Sequence, residues 1–217
     1  MSDDASGVSD TSEDRQSAGD SRSPADWPVE FRGVTESLVT TLGPNDLWNV
    51  AALGLHPPDN GPSADAPVTA RTWGNTRTRR NFHRQGGGYV QFARDPVDFV
   101  DATLSIFEVE RPVLDAADAW VEIEAERVDS GEDGDTEWEE WTLSPVDSGV
   151  ERETVPTITR GFGAVVEATV AASRLDVDAY DESELRNRLS YFESVGRNCG
   201  DDRVRAAFDR LRDHLDE

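Results

Sequence analysis

The sequence predicts an α+β protein, a small antiparallel Greek-key barrel followed by a C-terminal helical unit. Three observations predict it. Between Val34 and Leu143 short runs alternate in polarity and are broken by Gly, Pro, Asn and Asp. Two helix-start signatures, at Asn75-Thr76 and at Asp95-Pro96, interrupt those runs. Beyond residue 160 the apolar spacing changes from two to 3.6 residues. At 217 residues the chain holds one ordinary domain with an appendage, long enough for a real core and too short for two large domains.

Residues 1–28 are rich in Ser, Asp, Gly and Glu and are expected to form a disordered acidic tail. Order is expected from about Trp27-Pro28-Val29. Val34 to Leu42 reads as a strand, Gly43-Pro44-Asn45-Asp46 as a turn, and Leu47 to Leu55 as the hairpin partner. His56 to Pro67 holds four prolines and is a loop. Pro67 to Trp73 alternates, with Thr69, Arg71 and Trp73 on one face and Val68, Ala70 and Thr72 on the other. A helix capped by Asn75 or Thr76 follows and ends at Gly86-Gly87-Gly88, before a strand at Tyr89 to Ala93. Asp95-Pro96 opens a second short helix to about Leu104. Ala119 to Val128 and Thr136 to Leu143 read as a hairpin around the loop Asp129 to Asp135, giving five or six strands in all. Three helical patterns complete the chain, on Phe162, Val165, Val166, Thr169 and Val170, on Leu185, Leu189 and Phe192, and on Val204, Phe208, Leu211 and Leu215. The barrel domain is placed at 29–174 and the helical unit at 175–217.

Forty-five acidic residues face 21 basic ones, a formal charge of -24, and every basic residue is arginine. The composition resembles that of a salt-in extreme halophile, whose acid-rich surface stays solvated where salt screens charges over about 3 Å at 1 M. With no lysine, a P-loop NTPase and a pyridoxal-phosphate enzyme are both excluded. The single Cys199 cannot form an internal disulfide, the amino terminus reads as no export signal, and no run of 18 apolar residues occurs. A cytoplasmic protein with no membrane association is expected.

The segment from Ala66 to Arg94 runs against that composition: six arginines (Arg71, Arg77, Arg79, Arg80, Arg84, Arg94) and no acid. A strand, then Gly74-Asn75-Thr76-Arg77-Thr78, then a helix is an arrangement suited to an anion. The first-turn N–H groups carry partial positive charge, Thr76 and Thr78 add hydroxyls, and arginine adds a two-pronged cation. Helical spacing sets Arg77, Arg80, Asn81 and Arg84 on one face, and Arg71, beside Trp73, is placed to meet the same anion. The competing reading makes these arginines solvated ion-pair partners and Trp73 part of the core.

His56, His83 and His214 lack metal-ligand spacing, so no metal site is expected. Cys199 sits at a helix end without a base near it in sequence. Trp138 and Trp141 fall on opposite faces of their strand and read as barrel packing, and Glu137, Glu139 and Glu140 read as a solvated face. No triad, dyad or metal cluster stands out, and no catalytic residue is assigned.

The runs VTESLVTTLGPNDLWNVAALGLH and GNTRTRRNF, the Asp95-Pro96 helix start and EATVAASRL together resemble the archaeal-type flavin-reductase-like family of unknown physiological role. The resemblance covers Val34 to Arg174 and implies the FMN-binding split β-barrel with FMN as cofactor. It implies that Thr76, Arg77 and Thr78 hold the FMN phosphate, with Arg71 close by and Asn81 supporting the turn. It implies too that the strand through Asn49, Ala51, Ala52 and Leu53 runs beside the isoalloxazine. Ala52 stands where the family often has proline, Leu53 where it often has methionine, and Asn75 where it has glycine. A homodimer with flavin at the interface and a reduced nicotinamide as electron donor are implied as partners. A redox-active flavoprotein is the leading reading. A non-catalytic flavin carrier or sensor is the alternative, and a nucleic-acid module using the arginines is opposed by the net charge.

Overall fold

The computed structural model describes residues 26–63 and 66–216. Residues 1–25 of the expected acidic tail lie outside the described residues. Its last positions do not behave as a tail: Trp27 is 9% exposed and packs edge-on against Phe31 and Phe92. A large aromatic ring with an apolar face open to it is reason enough for the chain to dock there.

Among the described residues, seven strands and five helices follow the order β1 (Thr35–Leu42), β2 (Trp48–His56), β3 (Val68–Trp73), α1 (Arg77–Gln85), β4 (Gly87–Ala93), α2 (Pro96–Leu104), β5 (Phe107–Val109), β6 (Ala117–Asp133), β7 (Thr136–Val150), α3 (Arg160–Ala172), α4 (Glu182–Cys199) and α5 (Asp202–Asp216). Every strand pairing is antiparallel. The ring runs β1, β4, β6, β7, β3, β2 and closes where β2 pairs again with β1, while β5 adds to the outer side of β2.

That closure is incomplete on one side of β2. Towards β3, only Leu55 and His56 find partners, Ala70 and Thr69, and towards β5 only Trp48 to Val50 do. Residues 51–54 of β2 therefore have no strand beside them on that side, and the barrel is split there.

Period-two patterning sets the interior. The two faces that alternation sets apart in β3 separate in the structure: Thr69, Arg71 and Trp73 point outward, so Trp73 is not core, while Val68, Ala70 and Thr72 are buried. With Val39, Leu53, Leu55, Val90, Val121, Ile123, Trp141 and Leu143 they fill the barrel. The α1 helix starts where the Thr76 hydroxyl accepts the Arg79 N–H and stops at Gly86, whose φ of 72° suits glycine. Its Phe82 packs on Trp141 with ring centroids 5.1 Å apart.

Gly87 and Gly88 belong to β4, not to the helix end. A Cβ at Gly87 would meet the Ile123 carbonyl oxygen at 2.1 Å, and one at Gly88 the Thr40 carbonyl oxygen at 2.4 Å. The expected hairpin loop at Asp129 to Asp135 is also corrected, since β6 continues to Asp133 and turns at Gly134-Asp135. The two strands there form a ribbon beyond the core, so exposed acids replace the apolar alternation that marks a buried strand.

The helices share a second core. Ala164, Val165, Ala168 and Ala172 of α3 pack with Val204, Ala207, Phe208 and Leu211 of α5 and with Val100 of α2. The expected division at 174/175 therefore separates α3 from helices with which it shares a core. Leu38, Val50, Phe99 and Ala102 join this layer to the barrel, and Asp101 of α2 receives both Arg210 and His214 of α5. Among the described residues no helix is long and apolar enough to cross a membrane.

Candidate functional site

A cleft of about 450 Å³ opens where the barrel is split. One wall is the unpaired stretch of β2, a second is the end of β3 with the turn into α1, and the third is the C-terminal end of α2. Asn49, Ala51, Ala52, Leu53, Arg71, Thr76, Arg77 and Thr78 all line it, so eight of the nine residues singled out in the sequence meet in one place. The ninth, Asn81, lies behind the turn: its Nδ2 donates to the Thr41 hydroxyl at 2.9 Å and the Thr41 carbonyl at 3.3 Å.

Arg80, set on the Arg77 face by helical spacing, lines the cleft too, and the structure adds residues the sequence reading did not assign to the site: Thr72 and Asn75, with Thr103, Ser105 and Ile106 from the end of α2. The α2 end carries no local anion-binding or catalytic signal, and only barrel closure brings it to β2. Ile106 and Trp73 stand at the lip, 68% and 45% exposed.

The arginine island divides into groups. Arg79 turns away from the cleft to Glu137 and Glu139, and Arg94 pairs with Asp118. Arg71 approaches Glu140 at 3.6 Å and stacks on Trp138 with its guanidinium carbon 4.1 Å from the ring centroid. Arg77 contacts Glu108 of β5 at 2.7 Å. The picture of six uncompensated cations is thereby corrected: acids absent from the segment arrive from β5, β6 and β7. Arg80 differs, because its Nη1 donates only to Asn75, to the carbonyl at 2.6 Å and the side-chain oxygen at 3.1 Å. Among the described residues it has no carboxylate partner. Arg84 likewise reaches only oxygens of Leu42 and Asn81.

Two polar side chains of low exposure stand without protein partners at the cleft. Of the ten buried polar or charged side chains among the described residues, eight have protein partners: Gln91, for example, bonds Thr40, the Pro112 carbonyl and the Leu114 N–H. The other two are Asn49, 5% exposed, and Thr78, 4% exposed. Both line the cleft. No side-chain N or O atom sealed from water lacks a partner among the described residues, so the Asn49 amide and the Thr78 hydroxyl, which have no protein partner, keep access to water through the cleft and are free to bond a ligand's polar atoms there.

Glu139 was expected on a solvated face, and it is instead 2% exposed, on the same side of β7 as Trp141 and Leu143. Burial pushes its carboxyl up, but hydrogen bonds from Arg79, His83 and Arg127 outweigh burial and hold it below the usual carboxylate range. Trp138 lies on the outer face against Arg71, and Trp141 is core, so the pair does fall on opposite faces. Among the described residues no group of three His, Cys, Asp or Glu is arranged to hold a metal.

Two family models account for most of the sequence. The one described as "Protein of unknown function (DUF447) N-terminal domain" matches residues 35–152, and "Protein of unknown function (DUF447)" matches residues 159–213. The chain belongs to the DUF447 family. A DUF447 protein of Methanosarcina mazei, described as FMN-bound, aligns with a TM-score of 0.69 at 24% identity, over 85% of this chain and 96% of that one. The likeness is one of fold, the split β-barrel with its helical layer. Flavoredoxin from Methanosarcina acetivorans aligns with a TM-score of 0.40 at 12% identity, over 60% of this chain and 79% of that one. The flavin reductase of styrene monooxygenase from Pseudomonas putida S12 gives 0.38 at 13%, over 57% and 93%. No curated protein matches the chain.

Proposed function

We propose that this DUF447 protein binds FMN in the cleft and serves as a redox-active flavoprotein of the flavin-reductase type. The observation that carries the proposal is the convergence of two polar side chains without protein partners, Asn49 and Thr78, on one cleft that has a helix N-terminus at one wall and a bare strand edge at another. The FMN-bound relative in the same family supports the same reading.

The residues fit the group. A cleft of about 450 Å³ is within the range of small-molecule sites. Thr76, Thr78 and the first-turn N–H groups of α1 would receive the phosphate, with Arg77 and Arg80 supplying charge. Because Arg77 already contacts Glu108, Arg80 contributes the larger share of uncompensated charge. Asn49, Ala51, Ala52 and Leu53 would flank the ring with amide and main-chain groups, and Asn81 steadies the turn from behind. A bound flavin supplies hydride transfer at its N5. The chain's task is then to position the ring and hold water away from it, consistent with no side chain being arranged as an acid–base pair in the cleft.

The exposed Ile106 and Trp73 at the lip favour a homodimer in which a second copy covers them. A reduced nicotinamide is the proposed electron donor. The carrier reading differs only in lacking that donor. Titration of the purified chain with FMN, followed by quenching of flavin fluorescence, tests the site and is expected to saturate at one FMN per chain. Anaerobic bleaching of the bound flavin by a reduced nicotinamide is expected of the reductase, and its failure would leave the carrier. Absence of any flavin binding would overturn both.

A further inference from the structure

Glu139 lies outside the cleft, yet it fixes the turn that forms the cleft's anionic end. Arg79 Nε lies 3.0 Å from Glu139 Oε2, and Arg79 Nη2 donates to Oε1 at 3.1 Å. His83, four residues further along α1, contacts Oε2 at 2.7 Å, and Arg127 of β6 donates to Oε1 at 3.1 Å. Two positions on one face of α1 are thus tied to a single carboxylate on β7.

Arg79 does more than close an ion pair. Its Nη1 also donates to the Gly74 carbonyl at 3.2 Å, while the Gly74 N–H donates to the Glu137 carbonyl at 2.7 Å. Gly74 has φ of 62°, where the chain leaves β3 for α1. The Thr72 hydroxyl, just before it, donates to the Glu139 carbonyl at 3.4 Å and accepts the Trp141 indole N–H at 3.0 Å. Trp141 in turn packs against Phe82 and His83. The segment Glu139 to Trp141 therefore grips β3 before the turn and α1 after it. Of the turn between, Asn75 and Thr76 line the cleft.

We propose that Glu139 is a positioning residue for the phosphate end of the cleft: through Arg79 it sets the Gly74–Thr76 turn and the first turn of α1 at the spacing a phosphate monoester requires. The inference rests on the flavin reading above. A buried carboxylate with three hydrogen-bonded partners is costly to desolvate, and removing its charge leaves Arg127 without a carboxylate and Arg79 with Glu137 alone. Held then by the exposed Glu137 alone, Arg79 no longer fixes the Gly74 carbonyl in one place, and the N–H and hydroxyl donors lose their common aim.

The test compares FMN with riboflavin, which carries the same ring and no phosphate. In the full-length chain, Glu139→Gln is expected to weaken FMN binding about tenfold or more, the scale of a hydrogen bond to a charged group. Riboflavin affinity is expected to stay within about twofold of wild type on the same grounds. Arg79→Met is expected to give the same pattern and decides the matter if Glu139→Gln fails to fold. Arg127→Met, which removes a Glu139 partner that does not touch α1, is expected to leave the FMN-to-riboflavin ratio unchanged. If Glu139→Gln and Arg79→Met lower both affinities equally, or lower only thermal stability, Glu139 merely holds the fold and the proposal is wrong. An equal loss in Arg127→Met would also overturn it, by showing that charge alone acts. Wild-type binding of FMN with an unaltered variant sinks this inference alone, whereas a wild-type chain that binds neither flavin sinks it together with the flavin reading.

Discussion

Asn81 of α1 donates through its amide to the Thr41 hydroxyl of β1 at 2.9 Å while its side-chain oxygen accepts from Arg84 at 2.8 Å. It stitches helix to barrel one turn beyond Arg77 and Thr78, outside the lining of the cleft. Asn81→Leu removes these bonds and leaves the Thr41 groups unmatched in a buried place, which is expected to cost about 1–3 kcal/mol of stability. Urea unfolding followed by circular dichroism measures it. A variant that kept full stability yet lost flavin would instead put Asn81 in contact with the ligand.

Thr78 separates ligand binding from folding. Thr78→Val keeps its shape and removes a hydroxyl that has no protein partner, so the melting temperature is expected to hold. FMN affinity is expected to fall about tenfold, and Arg77→Ala combined with Thr78→Ala to lose bound flavin from a folded barrel. Full FMN occupancy in that double variant would remove these residues from the site.

Gly196 of α4 lies flat against Phe208 of α5, where an added Cβ would come within 1.9 Å of Phe208 Cε2. Gly196→Ala is expected to destabilise the helical layer by about 1–3 kcal/mol through overpacking. Differential scanning calorimetry should show the loss, with the cleft still titrating normally with FMN.

Glu139 has a folded-state pKa below its unfolded value of about 4.3. The stability it contributes is therefore complete above the unfolded value and is lost as pH falls through the folded one. The stability difference between wild type and Glu139→Gln is expected to be largest near neutral pH and to shrink steadily below about pH 4. A difference that stayed constant across that range would mean that the carboxylate is not held ionised by its partners.

The early strands were legible because their information is local. Alternation in β3 set Val68, Ala70 and Thr72 on one face and Thr69, Arg71 and Trp73 on the other, and Asn75-Thr76 and the glycines from Gly86 marked the two ends of α1. The eight cleft residues were legible from the turn chemistry and from the family resemblance together. What escaped was set by long-range pairing. Glu139 reads as solvent-facing because its partners Arg79 and His83 arrive from an earlier helix. The acids that accompany Arg71 and Arg77 come from β7 and β5, and β5, at three residues, is too short to show a period. The α2 end reaches the cleft only through closure of the ring, which no local pattern encodes.

The four positions of β2 that lack a strand on one side present peptide groups, and peptide groups are the same under every side chain. Recognition through them would not register mutation in the ordinary sense. Ala52 and Leu53 could be exchanged for other side chains without erasing those groups. A cleft edged in this way keeps its grip in the main chain and leaves its variety to the side chains.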